Sequence, residues 1–306
     1  LQGSLDQAGA TALAESLAKG PMMSTFDVKP YMKAGAAIAP VYTSPCGALF
    51  TADNLTVLPH IADQVIDTVF ADPPFNLGKE YGPSTDDRLP DEEYLDWCRR
   101  WLAECVRVLK PGGSVFVYHM PKWISPLDMY LRSLNMERRH TIAVEQNACL
   151  PIPGRLYPSH YGLLYYSKGK PKTFHRIWTP IQTCRNCGVE IKDYGGHRKK
   201  LNPKGINLKD VWTDIRPARH RKFKSERRKA PALSTKLLDR VVLMSTDEGD
   251  LILDPFGGSG TTFAVCKAKN RRWIGIEIEP DYTRDIIERL TSNKIRPHKN
   301  DDFVEA

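Results

Sequence analysis

Cysteine is scarce in this chain and long hydrophobic runs are missing. The seven cysteines among 306 residues are odd in number and scattered. That excludes the paired framework of a small secreted disulfide scaffold and points to a reducing, cytoplasmic setting. No uncharged apolar stretch approaches the roughly 20 residues of a membrane-spanning helix, so a soluble protein with no membrane partner is expected. The alanine-rich stretch from Ala10 to Ala18 is interrupted by Glu15, too short and too polar for a signal peptide. No repeats are evident. Cys184 and Cys187 have the spacing of half a zinc knuckle, but no second pair completes it, because His175 and His197 do not form one. A reduced turn without metal is the expectation there.

At 41% hydrophobic residues the chain can bury a sizeable core, as one large domain or a core with a smaller lobe. Its net charge of +8 is unevenly placed. The segment 198–229 holds thirteen Lys and Arg against three acids, a local +10 that leaves the remainder at −2. Counterion displacement from phosphates needs such local charge. Trp212, His220 and Phe223 are interleaved with it, so a polyanion-binding surface is read here rather than a solvated run. Arg198, Lys199, Lys200, Arg216, Arg219, Arg221, Lys222, Lys224, Arg227 and Arg228 are the candidate contacts.

Residues 1–41 lack a clear period and read as a flexible arm or, in part, an expression remnant. From Gly47 the pattern is regular. Ala48 to Thr51 reads as a strand, Leu55 to Ile61 as a short helix or turn, and Val65 to Phe70 as a buried strand ending at Asp72-Pro73-Pro74-Phe75. Apolar positions at three-and-four spacing predict a helix over Asp91 to Leu109, ended by Lys110-Pro111-Gly112-Gly113. Strands are expected at Ser114 to Tyr118, Arg139 to Glu145 and Gly162 to Ser167. Between 147 and 230 periodicity weakens while Pro, Gly, Arg and Lys become dense. Order returns with a helix from Ser234, its N-cap, to Met244. A strand from Asp250 to Leu253, a helix from Thr261 to Lys269, a strand from Trp273 to Ile276 and a helix from Asp281 to Leu290 follow. Strands alternating with helices predict a mostly parallel α/β sheet.

Asp254-Pro255-Phe256-Gly257-Gly258-Ser259-Gly260-Thr261 sets a glycine turn between a strand and a helix, where backbone N–H groups can approach a ligand. Glu277, ending the next strand, stands where dinucleotide-type folds grip a ribose hydroxyl pair. No Gly-Lys-Ser/Thr follows these glycines, which disfavours a P-loop.

Asp72-Pro73-Pro74-Phe75 resembles the catalytic tetrapeptide of amino-methyltransferases, and the glycine turn resembles their S-adenosylmethionine loop. Their order is reversed relative to the unpermuted arrangement, so the chain resembles beta-class, circularly permuted, S-adenosylmethionine-dependent DNA methyltransferases. Lys192 to Lys200 and Asp210 to Ile215 resemble a widespread subgroup of site-specific members. The resemblance implies a Rossmann-like methyltransferase core at 42–146 and 231–292. A basic target-recognition region at 147–230 and a tail at 293–306 complete the division. It implies cofactor contacts at Asp53, Asp72, Ser234, Asp254, Phe256, the 257–260 loop, Thr261 and Glu277, and a target of double-stranded DNA. Asp at position 72, where Ser is more usual among cytosine-N4 enzymes, favours adenine N6; cytosine N4 is the alternative, and a non-catalytic nucleic-acid-binding module a further one. A homodimer would match a symmetric DNA site.

Overall fold

A computed structural model of the chain describes residues 25–78, 87–146, 232–292 and much of 153–215. Eleven strands are found among the described residues. They are β1 (Tyr42–Ser44), β2 (Gly47–Thr51), β3 (Ile66–Ala71), β4 (Leu109–His119), β5 (Glu137–Glu145), β6 (His160–Ser167), β7 (Trp178–Thr179), β8 (Ile206–Asn207), β9 (Val211–Trp212), β10 (Leu251–Asp254) and β11 (Arg272–Glu277). The helices are α1 (Asn54–Val57), α2 (Asp91–Val108), α3 (Pro121–Ser133), α4 (Thr235–Ser245), α5 (Thr261–Ala268) and α6 (Pro280–Thr291).

Nine strands form one sheet in the order β1-β2-β11-β10-β3-β4-β6-β5-β9, and β7 pairs with β8 apart from it. The five central strands from β2 to β4 are mutually parallel, while β6 runs antiparallel between β4 and β5. The central strands are buried on both faces, which is why they read as continuous apolar runs rather than alternating ones. Helices α1, α2 and α3 cover one face, and α4, α5 and α6 the other. Gly275 on β11 lets α5 close on the sheet, since a Cβ there would lie 2.3 Å from Phe263 Cζ.

Several boundaries differ from those expected of the sequence. Phe26 and Val28 are buried in the core, so the expected arm joins the fold by residue 26; residues 1–24 lie outside the described ones. Strand β4 starts at Leu109 and carries the expected turn inside it as an irregularity, with Gly112 at φ +79°. Helix α3 was not anticipated; Pro121 suits its first turn, but Pro126 inside it interrupts the pattern that periodicity reads. A domain boundary at 147 cuts through the sheet, because β6 and β9 both belong to it. Trp212 is 1% exposed, with the Arg240 guanidinium 5.1 Å from its ring, so it anchors the fold and is not available to stack on a base. Asp214 completes that anchor through a bidentate pair with Arg240 at 2.6 and 2.8 Å and a Lys236 contact at 2.9 Å. Burial pushes the Asp214 carboxyl up, but the bonds from Arg240 and Lys236 outweigh it and hold the group at about 2.

Candidate active site

Strands β10 and β3 are neighbours, yet β10 leads through α5 to β11 on one side and β3 leads to β4 on the other. The crevice beyond their carboxyl ends is therefore a topological switch point, where open α/β sheets bind ligands. Four acids stand at the ends of four successive strands there: Asp53 after β2, Glu277 on β11, Asp254 on β10 and Asp72 after β3. At about 4.8 Å between strands, the row of four spans roughly 14 Å. His119 ends β4, and Tyr161 near the start of antiparallel β6 lies at the same edge.

The glycine turn is tied to β11. Gly257 N–H donates to the Ile276 carbonyl at 2.7 Å, and Gly258 N–H donates to Glu277 Oε2 at 2.6 Å. Gly260 caps α5 at φ +72°, and a Cβ there would sit 3.0 Å from Ile286 Cγ1. Gly258, at φ +50°, is less crowded than Gly257 and Gly260: a Cβ there would meet only the Phe256 carbonyl, at 3.7 Å. Burial pushes the Glu277 carboxyl up to about 7, against N–H bonds from Glu279 and Gly258. Those bonds leave carboxylate lone pairs over for vicinal hydroxyls. Spare acceptors at Glu277, beside a turn whose Gly258 carries no side chain, fit a ribose-bearing cofactor.

The other expected cofactor residues divide. Asp53 is exposed beside the turn; its Oδ1 accepts the Leu55 N–H at 2.7 Å and caps α1, while Ala52 N–H joins the Glu277 carbonyl. Asp254 is 3% exposed and turned inward: Oδ1 accepts from Phe256 N–H and Oδ2 from the Thr262 hydroxyl. It shapes the turn and does not face the crevice, and burial raises its carboxyl to about 7. The Phe256 ring packs edge-on against Trp97 and Trp101 of α2. Ser234 is the N-cap residue of α4, but its hydroxyl makes no capping bond. The neighbouring Leu233 carbonyl accepts from Thr261 Oγ1 at 3.4 Å, which places this segment beside the glycine turn. Ser259 and Thr261 are held by Arg289, whose Nη1 donates to the Ser259 carbonyl and Thr261 Oγ1.

Asp72 and Phe75 are half-buried at the mouth of the crevice and Pro73 is buried between them. The Phe75 ring is stacked on His119 at 4.9 Å and tilted against Tyr161 at 5.3 Å and Tyr118 at 6.3 Å. Gln146 Nε2 donates to the Tyr118 hydroxyl at 3.1 Å. Sequence reasoning missed Tyr94, Tyr118, His119, Trp123 and Tyr161. Tyr94 carried a signal as the first aromatic of the α2 stripe, but core packing explained it equally well.

Of the expected DNA contacts, Lys200 is exposed. Arg198, Lys199, Arg216, Arg219, Arg221, Lys222, Lys224, Arg227 and Arg228 lie outside the described residues, as does Cys184; Cys187 is an exposed free thiol. Among the described residues no helix is long and apolar enough to cross a membrane.

Comparison with known proteins agrees with this geometry. The Type II methyltransferase M.BamHI of Bacillus amyloliquefaciens is 51% identical over 264 residues, 86% of this chain and 61% of that relative's length. The DNA adenine methyltransferase YhdJ of Escherichia coli (strain K12) is 29% identical over 78% of this chain and 80% of its own. Among solved structures, PvuII DNA methyltransferase (cytosine-N4-specific) shares the fold, with a TM-score of 0.61 and 20% identity over 85% of this chain and 92% of that one. A family model described as DNA methylase matches residues 66–289, and with the permuted order of strands around the switch point the chain belongs to the DNA methylase family.

Proposed function

We propose that this protein transfers a methyl group from S-adenosylmethionine to the exocyclic amine of a base in double-stranded DNA, with adenine N6 as the target. The observation that carries the reading is the meeting of Asp72 and the 257–260 turn at adjacent strand ends, although 182 positions separate Asp72 from Asp254 in sequence. Glu277 would hold the ribose, and the glycine turn beside it would receive the methionine part. Bound there, the cofactor supplies an activated methyl on its sulfonium.

The protein's own task is to prepare the nitrogen. An exocyclic amine is a poor nucleophile because its lone pair is delocalised into the ring. Donating its two hydrogens to the Asp72 carboxylate and the Pro73 carbonyl draws it toward a tetrahedral arrangement. The two prolines fix φ and so aim that carbonyl. Phe75 would stack on a base rotated out of the duplex, worth about 1–3 kcal/mol toward the unstacking cost. No strong base is needed before attack, and alignment of nitrogen, methyl and sulfur supplies much of the rest. The basic segment of 198–229 would grip phosphates.

Cytosine N4 is the second reading, favoured by the specificity named for the PvuII enzyme that shares the fold. Labelled-methyl transfer to DNA followed by nucleoside analysis separates them: N6-methyladenine is expected, and N4-methylcytosine alone overturns the base assignment. Asp72→Ala should abolish transfer while calorimetry still detects cofactor binding. Full activity in that variant would sink the site.

A further inference from the structure

The catalytic turn is held from behind by side chains outside the recognised motifs. Tyr94, on the first turn of α2, donates its hydroxyl hydrogen to the Pro74 carbonyl at 2.5 Å. The same oxygen lies 2.6 Å from His119 Nε2 at the end of β4. His119 Nδ1 accepts the Met120 backbone N–H at 2.8 Å. A neutral imidazole that accepts at Nδ1 must carry its proton on Nε2, so His119 donates to Tyr94 and Tyr94 donates to Pro74. Each group in the chain has one role, and none can reverse without losing a bond.

The next carbonyl is held as well, since Trp123 Nε1–H on α3 donates to Phe75 at 3.0 Å. Asn76 and Leu77 N–H groups both donate to the Asp87 carboxylate, at 2.5 and 2.9 Å. The Asn76 side chain closes a pair of bonds with the Leu89 backbone. Successive peptide groups from Pro74 to Leu77 are thus fixed inward. Among the described residues none donates to the Pro73 carbonyl.

We infer that Tyr94 and His119 are positioning residues, a two-part strut that fixes the Pro74 peptide and thereby aims the Pro73 carbonyl and the Asp72 carboxylate at the substrate amine. This rests on the methyltransferase reading above. The strut acts through geometry and moves no proton. His119 is fully buried, and burial pushes its imidazole down to about 3, so it stays neutral wherever the enzyme is expected to work.

The test is single-turnover methyl transfer to a duplex by Tyr94→Phe, His119→Leu and His119→Gln. Losing the Tyr94 bond should lower the transfer rate about 10- to 100-fold, from one hydrogen bond and the displacement it allows. Affinities for cofactor and DNA should stay within about twofold of wild type, the split expected when an interaction acts only in the transition state. His119→Leu should lose as much. His119→Gln, which keeps a donor near the Nε2 position, should recover most of the rate. The pH profile of the rate should keep its shape in all three variants.

Full activity in Tyr94→Phe, or equal losses in the Leu and Gln variants, overturns the strut. A titration limb that disappears with Tyr94 overturns it too, in favour of proton transfer. Long-range nitrogen–proton spectra of His119 in the free protein give a readout independent of turnover. The Nε2-protonated tautomer is expected, and the Nδ1-protonated form refutes the assignment. A wild-type protein inert on DNA that still shows the expected tautomer counts against the methyltransferase reading and leaves the strut's geometry standing.

Discussion

Replacing Glu277 by Gln should change how both folding and cofactor binding depend on pH. Burial holds this carboxyl at about 7 instead of 4.5, with Glu279 nearby adding to the rise. A folded-state value above the unfolded one means that the group contributes stability that is complete below pH 4.5 and is lost as pH rises through about 7. Between about pH 5 and pH 8 that loss amounts to roughly 2–3 kcal/mol, at about 1.4 kcal/mol for each pH unit over which the proton is held. Glu277→Gln cannot ionise. Its stability relative to wild type, from urea unfolding of the ligand-free protein, should therefore rise by about that amount across this range. At the acid end the wild-type group is a protonated acid whose hydroxyl oxygen can still accept, whereas the Gln NH2 cannot accept from Gly258 or Glu279, so the variant should start lower there. Ribose hydroxyls donate to the ionised form. S-adenosylmethionine affinity by calorimetry should accordingly weaken below about pH 7, by up to tenfold per unit, in wild type and not in the variant. Identical pH slopes for the two proteins, in unfolding or in binding, would show that Glu277 is neither strained by burial nor in contact with the ligand.

Two further outcomes follow from named contacts and a third from the charge of 198–229. Gly260→Ala places a methyl 3.0 Å from Ile286 Cγ1 on a residue at φ +72°. It should cost about 1–2 kcal/mol from the backbone alone, read as a lower Tm, and an unchanged Tm would remove the turn's need for glycine. Asp214→Ala strands Arg240, which is 2% exposed. A loss of about 2–3 kcal/mol is expected, below the full value for a buried pair because Asp214 itself is half exposed. The Asp214 carboxyl sits at about 2, below its ordinary 3.8, so its contribution is present above pH 3.8 and lost as pH falls through about 2. Changing Arg219, Arg221 and Lys222 together to Ala should flatten the slope of log affinity for DNA against log salt by about 3. No change in slope would remove this segment from the DNA interface.

The parts of the fold that were legible in the sequence are those whose signals are local. The α2 stripe from Tyr94 to Val106, the apolar runs of β3, β10 and β11, and the glycines after Asp254 are patterns within a few residues of one another. Their bounds in the sequence pattern agree with the structure to within about two residues, and the reversed order of the two motifs by itself points to the family. Local reading failed where one residue could serve two environments. Trp212, interleaved with lysines and arginines, reads as part of a polyanion-binding surface, yet the sheet edge and Arg240 bury it. Asp254 reads as a cofactor contact, yet it is 3% exposed and both of its oxygens are turned inward onto the Phe256 N–H and the Thr262 hydroxyl.

By itself, then, the sequence determined the alternation of strands and helices, the Asp72–Phe75 and glycine turns and the strongly basic stretch between them. Only the tertiary structure decided that Asp53, Glu277, Asp254 and Asp72 form one row across four strand ends, because strand order is set by packing between segments far apart in the chain. It also decided which acids face the crevice and which are spent inside. The inward support of the Asp72–Phe75 turn by Tyr94, His119 and Trp123 belongs to the same class. A hydrogen bond joins groups that folding brings within about 3 Å, and no spacing along the chain encodes that distance.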